Sequence, residues 1–115
     1  MKKFFKMLIV VMAIMIPVMA DSYPHIYNVT LTSANTEYSQ TLPAWTTHVT
    51  IQCRSAYDVR MGVTTGKVAG STAPFWTIKS GTGYFDYNLK TNKTLYFASG
   101  QAGVVIEIID WGLDA

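Results

Sequence analysis

The chain is poor in charge, in cysteine and in helical pattern. Only 14% of its 115 residues are charged, and its single cysteine, Cys53, excludes an internal disulfide. Its two histidines form no His-x-x-x-His pair, and no Cys-x-x-Cys motif exists, so we expect neither a metal nor a cofactor. The carboxylates are dispersed, and no acid, base and nucleophile are spaced to converge. We therefore predict that the protein is not an enzyme.

The formal charge of +2 belongs to the beginning of the chain. Three lysines, Lys2, Lys3 and Lys6, lie within the first 20 residues. The remaining 95 residues carry six basic side chains against seven acidic ones. A nucleic-acid-binding surface needs clustered positive charge, so no nucleic-acid partner is expected.

The first 20 residues have the organisation of a secretory signal peptide. A basic start, Met1–Lys6, precedes an uncharged apolar run, Met7–Ala20, and Val18 and Ala20 supply small residues before a cleavage site at Asp21. We expect export to the periplasm, the cell surface or the medium. A retained membrane anchor is the alternative, although the run is shorter than the roughly 20 apolar residues of a spanning helix.

Residues 21–115 alternate between apolar and polar positions and contain 14 threonines. Such alternation, interrupted by Gly, Ser and Asn clusters, is typical of half-buried antiparallel strands. The alternating runs are Tyr27–Thr32, Val49–Arg54, Tyr57–Thr64, Phe75–Lys79, Gly83–Leu89, Thr94–Ala98 and Gly103–Trp111. They predict one all-β domain, an antiparallel β-sandwich or jelly-roll-like fold of seven to eight short strands.

The last predicted strand is apolar on both faces. One face carries Val104, Ile106 and Ile108, while the other carries Val105, Ile109 and Trp111, interrupted only by Glu107. Since a small sandwich has one core, the second face needs a cover, either a loop of the same chain or another subunit. We predict a homo-oligomer with a candidate interface formed by Val105, Glu107, Ile109 and Trp111.

Aromatic residues are frequent, and not all of them fit inside a small core. Exposed Tyr and Trp side chains stack on sugar rings in carbohydrate-binding modules, and they also anchor protein contacts. Trp45, Trp76 and Tyr84 are the candidate ligand-binding aromatics. A secreted carbohydrate-binding module is therefore the alternative function.

Three stretches together resemble small phage-encoded virion proteins. They are Thr36–Pro43, Ile51-Gln52-Cys53-Arg54 through Asp58-Val59-Arg60-Met61, and Leu95-Tyr96-Phe97-Ala98-Ser99 through Val105–Trp111. The resemblance implies a non-enzymatic β-sandwich that assembles into a capsid decoration, a fibre or a tail, with other virion proteins as further partners. Such proteins act through symmetric self-association, which suits the two-sided last strand.

A leader does not belong to the usual virion pattern, because virion proteins assemble in the cytoplasm. Two explanations stay open: an exported surface relative, or a true start codon at Met19. The leading hypothesis is a self-associating virion-like or secreted surface protein. Membrane contact is expected only through an uncleaved leader.

Overall fold

The computed structural model describes residues 24–86, 89 and 93–112. The predicted leader, residues 1–20, lies outside the described residues, as does the proposed start at Met19. No helix is present in the described ranges, and so none that is long and apolar enough to cross a membrane.

Eight antiparallel strands form two four-stranded sheets. The strands are β1 (His25–Leu31), β2 (Tyr38–Thr41), β3 (Thr46–Cys53), β4 (Val59–Gly62), β5 (Trp76–Ile78), β6 (Gly83–Asp86), β7 (Thr94–Ala98) and β8 (Val104–Gly112). The first sheet has the order β1-β8-β3-β6, and the second has the order β2-β7-β4-β5. The prediction of an all-β fold with seven to eight short strands is confirmed.

The two sheets share one hydrophobic core. Alternate residues of β8, namely Val104, Ile106 and Ile108, are at most 1% exposed and face the core from the first sheet. Leu95 and Phe97 of β7 meet them from the second sheet and belong to the same cluster. The in-out alternation that predicted the strands therefore also separates core from surface.

The structure adds one strand to the predicted pattern and changes several strand bounds; β3, for example, begins at Thr46 and not at Val49. Strand β2 was not predicted, because Tyr-Ser-Gln-Thr at 38–41 lacks an apolar alternation of its own and is held by pairing with β7. Strand β4 is shorter than the predicted run. Val59 and Met61 are buried, whereas Tyr57 and Val63 lie beyond the strand ends and are 46% and 53% exposed.

A long loop after β4 covers part of the outer face of the second sheet. Val68 of this loop is fully buried against Gly62, at which an added Cβ would lie 3.1 Å from the Val68 Cγ1. The Arg60 Nε donates to the Val68 carbonyl at 2.6 Å. The Glu37 carboxylate accepts from the Gly66 backbone N–H at 2.8 Å. The chain thus supplies its own cover for this face.

A fully buried carboxylate fastens the start of β1 to β8. The Asp110 Oδ1 accepts the His25 backbone N–H at 3.0 Å, while its Oδ2 accepts the Tyr27 hydroxyl at 3.2 Å and the Thr46 hydroxyl at 3.4 Å. Burial, together with the negative charge of Asp110, raises the pKa of Tyr27. Three strands therefore meet at one acceptor group.

Close packing at the end of β8 requires a glycine. A Cβ at Gly112 would lie 2.7 Å from the Trp45 Cε3 and would also collide with the Trp45 backbone carbonyl. Backbone atoms cannot move aside cheaply, so Gly112→Ala is expected to lower the free energy of unfolding by about 1–3 kcal/mol. Urea unfolding measures this loss. Gly100→Ala, where no atom lies within 4 Å of the added Cβ, is the matched control and should be near neutral.

Candidate functional site

The outer face of the first sheet carries an apolar row that crosses all four strands. Ile26 of β1 lies opposite Ile109 of β8, which lies opposite Thr50 of β3, which in turn lies opposite Phe85 of β6. Directly opposed residues of antiparallel strands point to the same side of a sheet. We call this surface the open face; its members here are Ile26, Thr50, Gln52, Phe85, Val105, Glu107, Ile109 and Trp111.

Large apolar side chains on the open face are exposed to solvent. Ile26 is 66% exposed, Phe85 is 57% exposed and Trp111 is 42% exposed. Val105, Glu107 and Ile109 are half-buried by their neighbours within the sheet. The four predicted interface residues therefore share one surface. No described loop buries this surface as Val68 buries part of the other sheet.

The charge at the centre of the open face is paired within the chain. The Glu107 Oε1 accepts from the Gln52 Nε2 at 3.1 Å, and its Oε2 accepts from the Arg54 Nε at 3.2 Å. These bonds, with the positive charge of Arg54, lower the pKa of Glu107. Glu107 therefore stays ionised at neutral pH, and its charge is balanced by Arg54, which directly follows β3.

The lowered pKa of Glu107 gives a pH-dependent contribution to stability. Its ionised form is favoured by folding, so the contribution is present above the ordinary value of 4.5 and is lost as the pH falls through the lower folded value. We expect the stability difference between wild type and Glu107→Gln to narrow as the pH falls below 4.5. Urea unfolding from neutral to acidic pH measures it, and two parallel curves would contradict the assignment.

A second surface feature lies between the end strands β5 and β6. It is a cleft of about 280 Å³, which we call the edge cleft, lined by Met61, Val63, Pro74, Phe75, Trp76 and Tyr84. Trp76 lies opposite the buried Met61 and thus on the core side of β5, yet it is 61% exposed because it stands at the border of the sheet. Tyr84 lies opposite the buried Ile51 and faces the cleft from β6.

The three candidate ligand-binding aromatics do not form one site. Trp76 and Tyr84 meet in the edge cleft, whereas Trp45 precedes β3 and is half-buried against the His25 ring, with ring centroids 5.3 Å apart. Trp45 also contacts Gly112 and so packs at the end of β8. Its position favours a packing role.

Ile26 and Phe85 are the large apolar residues of the open face that the sequence alone did not single out. Their exposure follows from the alternation, because Tyr27 and Tyr84 beside them face inward and pack against the core. The alternation does not give the strand order, which places Ile26 opposite Ile109 and Phe85 on the far side of Thr50 in the same row.

In the described part of the chain, no group of three or more His, Cys, Asp or Glu side chains is arranged to hold a metal ion. Comparisons of the chain with protein-family models, with curated proteins and with solved structures give no match. The two surfaces described above, the open face and the edge cleft, are the candidate sites.

Proposed function

We propose that the protein is a non-enzymatic structural protein that associates with a second copy of itself through the open face. The observation that carries this proposal is the row Ile26, Ile109 and Phe85, which runs across the whole width of the first sheet. Exposed apolar patches of this kind mark interaction sites in small proteins. The second sheet, whose outer face is partly covered by Val68, offers no such row.

The dimensions of the open face suit a modest interface. Four strands about 4.8 Å apart, with seven, nine, eight and four residues of about 3.4 Å each, span roughly 20 Å by 25 Å. This is smaller than the roughly 800 Å² per partner of a standard stable interface, so we expect reversible association. Repetition of such contacts in a larger assembly multiplies their effect, as a virion-like role requires.

The arrangement of charges on the open face also supports a second copy of the chain as the partner that binds there. Because Glu107 is already paired with Arg54 and Gln52, a facing subunit does not have to neutralise a lone carboxylate. Around this pair the face carries apolar side chains, threonines and the amide of Asn28, which lies opposite Glu107, with His48 opposite Trp111. Among the described residues no second carboxylate lies on it, and so it is compatible with itself under a two-fold axis. A partner with a strongly charged interface would meet no opposite net charge on the open face.

The strand order supports a jelly roll as the finer description of the fold. Strands pair as β1 with β8, β2 with β7, β3 with β6 and β4 with β5, which is the pattern of one long folded ribbon rolled into two sheets. Jelly rolls occur in viral capsid proteins and in lectins. The fold is therefore compatible with both functions considered for the chain, and it decides between neither.

The cellular location of the protein depends on whether the leader is translated and cleaved. If the leader is used, we place the protein outside the cytoplasm; if translation starts at Met19, we place it in a virion. N-terminal sequencing of the native protein distinguishes the two. A product that begins at Asp21 supports export, whereas one that begins at Met19 supports cytoplasmic assembly.

Sedimentation velocity tests self-association directly. The sedimentation coefficient of the purified protein is expected to rise with concentration and to approach that of a dimer or a larger closed assembly. A coefficient that stays monomeric from low to high micromolar concentration would overturn the proposal.

One observation favours a second function, that of a carbohydrate-binding module. Trp76 and Tyr84, two aromatics chosen from the sequence for this role, line the same cleft. A protein that stays monomeric and is retained on a polysaccharide column would favour this function over self-association.

A further inference from the structure

The edge cleft has one apolar wall and one wall with polar atoms. Pro74, Phe75 and Trp76 line it on the side of β5, with Met61 at its base. On the side of β6, the Tyr84 hydroxyl donates to the Asp86 Oδ2 at 3.4 Å. A ligand that fills this cleft therefore needs a flat apolar side and a polar edge.

We propose that the edge cleft binds a single pyranose ring of a carbohydrate chain, with the C–H face of the sugar against the indole of Trp76 and its hydroxyls toward Tyr84. The proposal rests on the carbohydrate-binding function given above as the second candidate. It narrows that function to one site and leaves Trp45 out of it.

The size of the cleft agrees with a small ligand. Its 280 Å³ lies just below the range of about 300–1,000 Å³ found for drug-sized ligands, as expected for a site that holds one ring. The cleft opens at the border between the two sheets, since β5 and β6 are the end strands of their sheets. A longer saccharide can therefore continue outward into solvent while one ring is held.

Tyr84 is held in a state that can contribute a hydrogen bond. Burial raises the pKa of Tyr84, and the nearby negative charge of Asp86 raises it further, so the phenol stays protonated at neutral pH. Its hydrogen bond to Asp86 fixes the direction of the hydroxyl. The oxygen of the phenol then faces a bound ring as an acceptor of sugar hydroxyl protons.

Tryptophan fluorescence titration tests the proposal, with cellohexaose, chitohexaose and mannohexaose as probes. At least one probe is expected to change the emission of the wild type saturably. Trp76→Ala should weaken that binding by at least about tenfold, the loss expected for a central aromatic anchor. Binding by this variant is measured by calorimetry, because its fluorescence reporter is gone.

Two further variants make the assignment specific. Trp111→Ala removes an exposed tryptophan from the open face and should leave saccharide affinity unchanged. Tyr84→Phe keeps the ring that packs on the core and removes only the hydroxyl, so it should fold and bind several-fold more weakly. Circular dichroism confirms that each variant retains its strands.

The possible failures are distinguishable. If a saccharide binds and Trp111→Ala rather than Trp76→Ala weakens it, carbohydrate binding stands and its assignment to the edge cleft is overturned. If none of the three saccharides binds, both the second function and this site fail. An apolar dye that binds while all three saccharides do not would likewise overturn the proposal.

Discussion

Asp110→Ala is expected to lower the free energy of unfolding by about 2–4 kcal/mol, because it removes one acceptor from several donors at once. The Tyr27 and Thr46 hydroxyls and the His25 backbone N–H all donate to this carboxylate, which is fully buried. A buried donor left without an acceptor costs about 1–3 kcal/mol. Tyr27 and His25 are partly exposed, so water can accept hydrogen bonds from them in the variant. The total cost is therefore smaller than the sum of the costs for three buried donors.

The loss of stability in Asp110→Ala should be concentrated at the start of β1. Urea unfolding gives the overall change, and hydrogen exchange should show faster exchange of the His25 and Tyr27 amides than of amides in the middle of β8. Asp110→Asn, which retains an oxygen acceptor of the same shape, should cost less than the alanine variant.

Asp58 provides the matched control for this carboxylate. It also accepts two hydrogen bonds, from the Ser80 backbone N–H at 2.8 Å and from the Lys79 Nζ at 3.3 Å, but its side chain is half exposed. Exposed pairs of this kind contribute little. Asp58→Ala should therefore change stability far less than Asp110→Ala does. If Asp58→Ala and Asp110→Ala lowered the free energy of unfolding equally, burial of the carboxylate would not explain the effect at Asp110.

Local pattern was sufficient to predict seven of the eight strands and the orientation of β8. Val104, Ile106 and Ile108 alternate with Val105 and Ile109, and the structure buries the first set in the core. A period of two is a local property, so it can be read without knowing which strands are neighbours. For the same reason it predicted that a second apolar face remains on β8.

Strand order, in contrast, cannot be read from a local pattern. Ile26 and Phe85 join Ile109 because β1, β8, β3 and β6 are neighbours in one sheet, although they are far apart along the chain. Strand β2 escaped prediction for a related reason. Its residues gain their strand conformation from β7, with Tyr38 opposite Phe97, and not from apolar alternation of their own.

The aromatic residues show that a side chain on the core side of a sheet is not always buried. Trp76 and Ile78 share the core side of β5, yet Ile78 is 2% exposed and Trp76 is 61% exposed. Both lie opposite buried residues, Ile78 opposite Val59 and Trp76 opposite Met61, but Trp76 is the first residue of β5 and lines the open edge cleft. On β6 the aromatic that reaches the outer surface is Phe85, and Tyr84 packs inward.

Ile109→Arg is expected to weaken self-association by at least about 100-fold if the open face is the interface. Ile109 lies at the centre of the row, between Ile26 and Thr50, so a two-fold contact would bring two arginines into one apolar patch. Burying unpaired like charges costs several kcal/mol. The half-exposed side chain points away from the core, so the variant should keep its fold, which circular dichroism can check.

Two control variants separate this effect from a general change in charge or solubility. Tyr57→Arg adds the same charge at an exposed aromatic position outside the strands and should leave the sedimentation profile unchanged. Ile109→Val keeps the apolar surface and should weaken association only slightly. If Ile109→Arg sediments as the wild type does while the wild type associates, the contact lies on another surface.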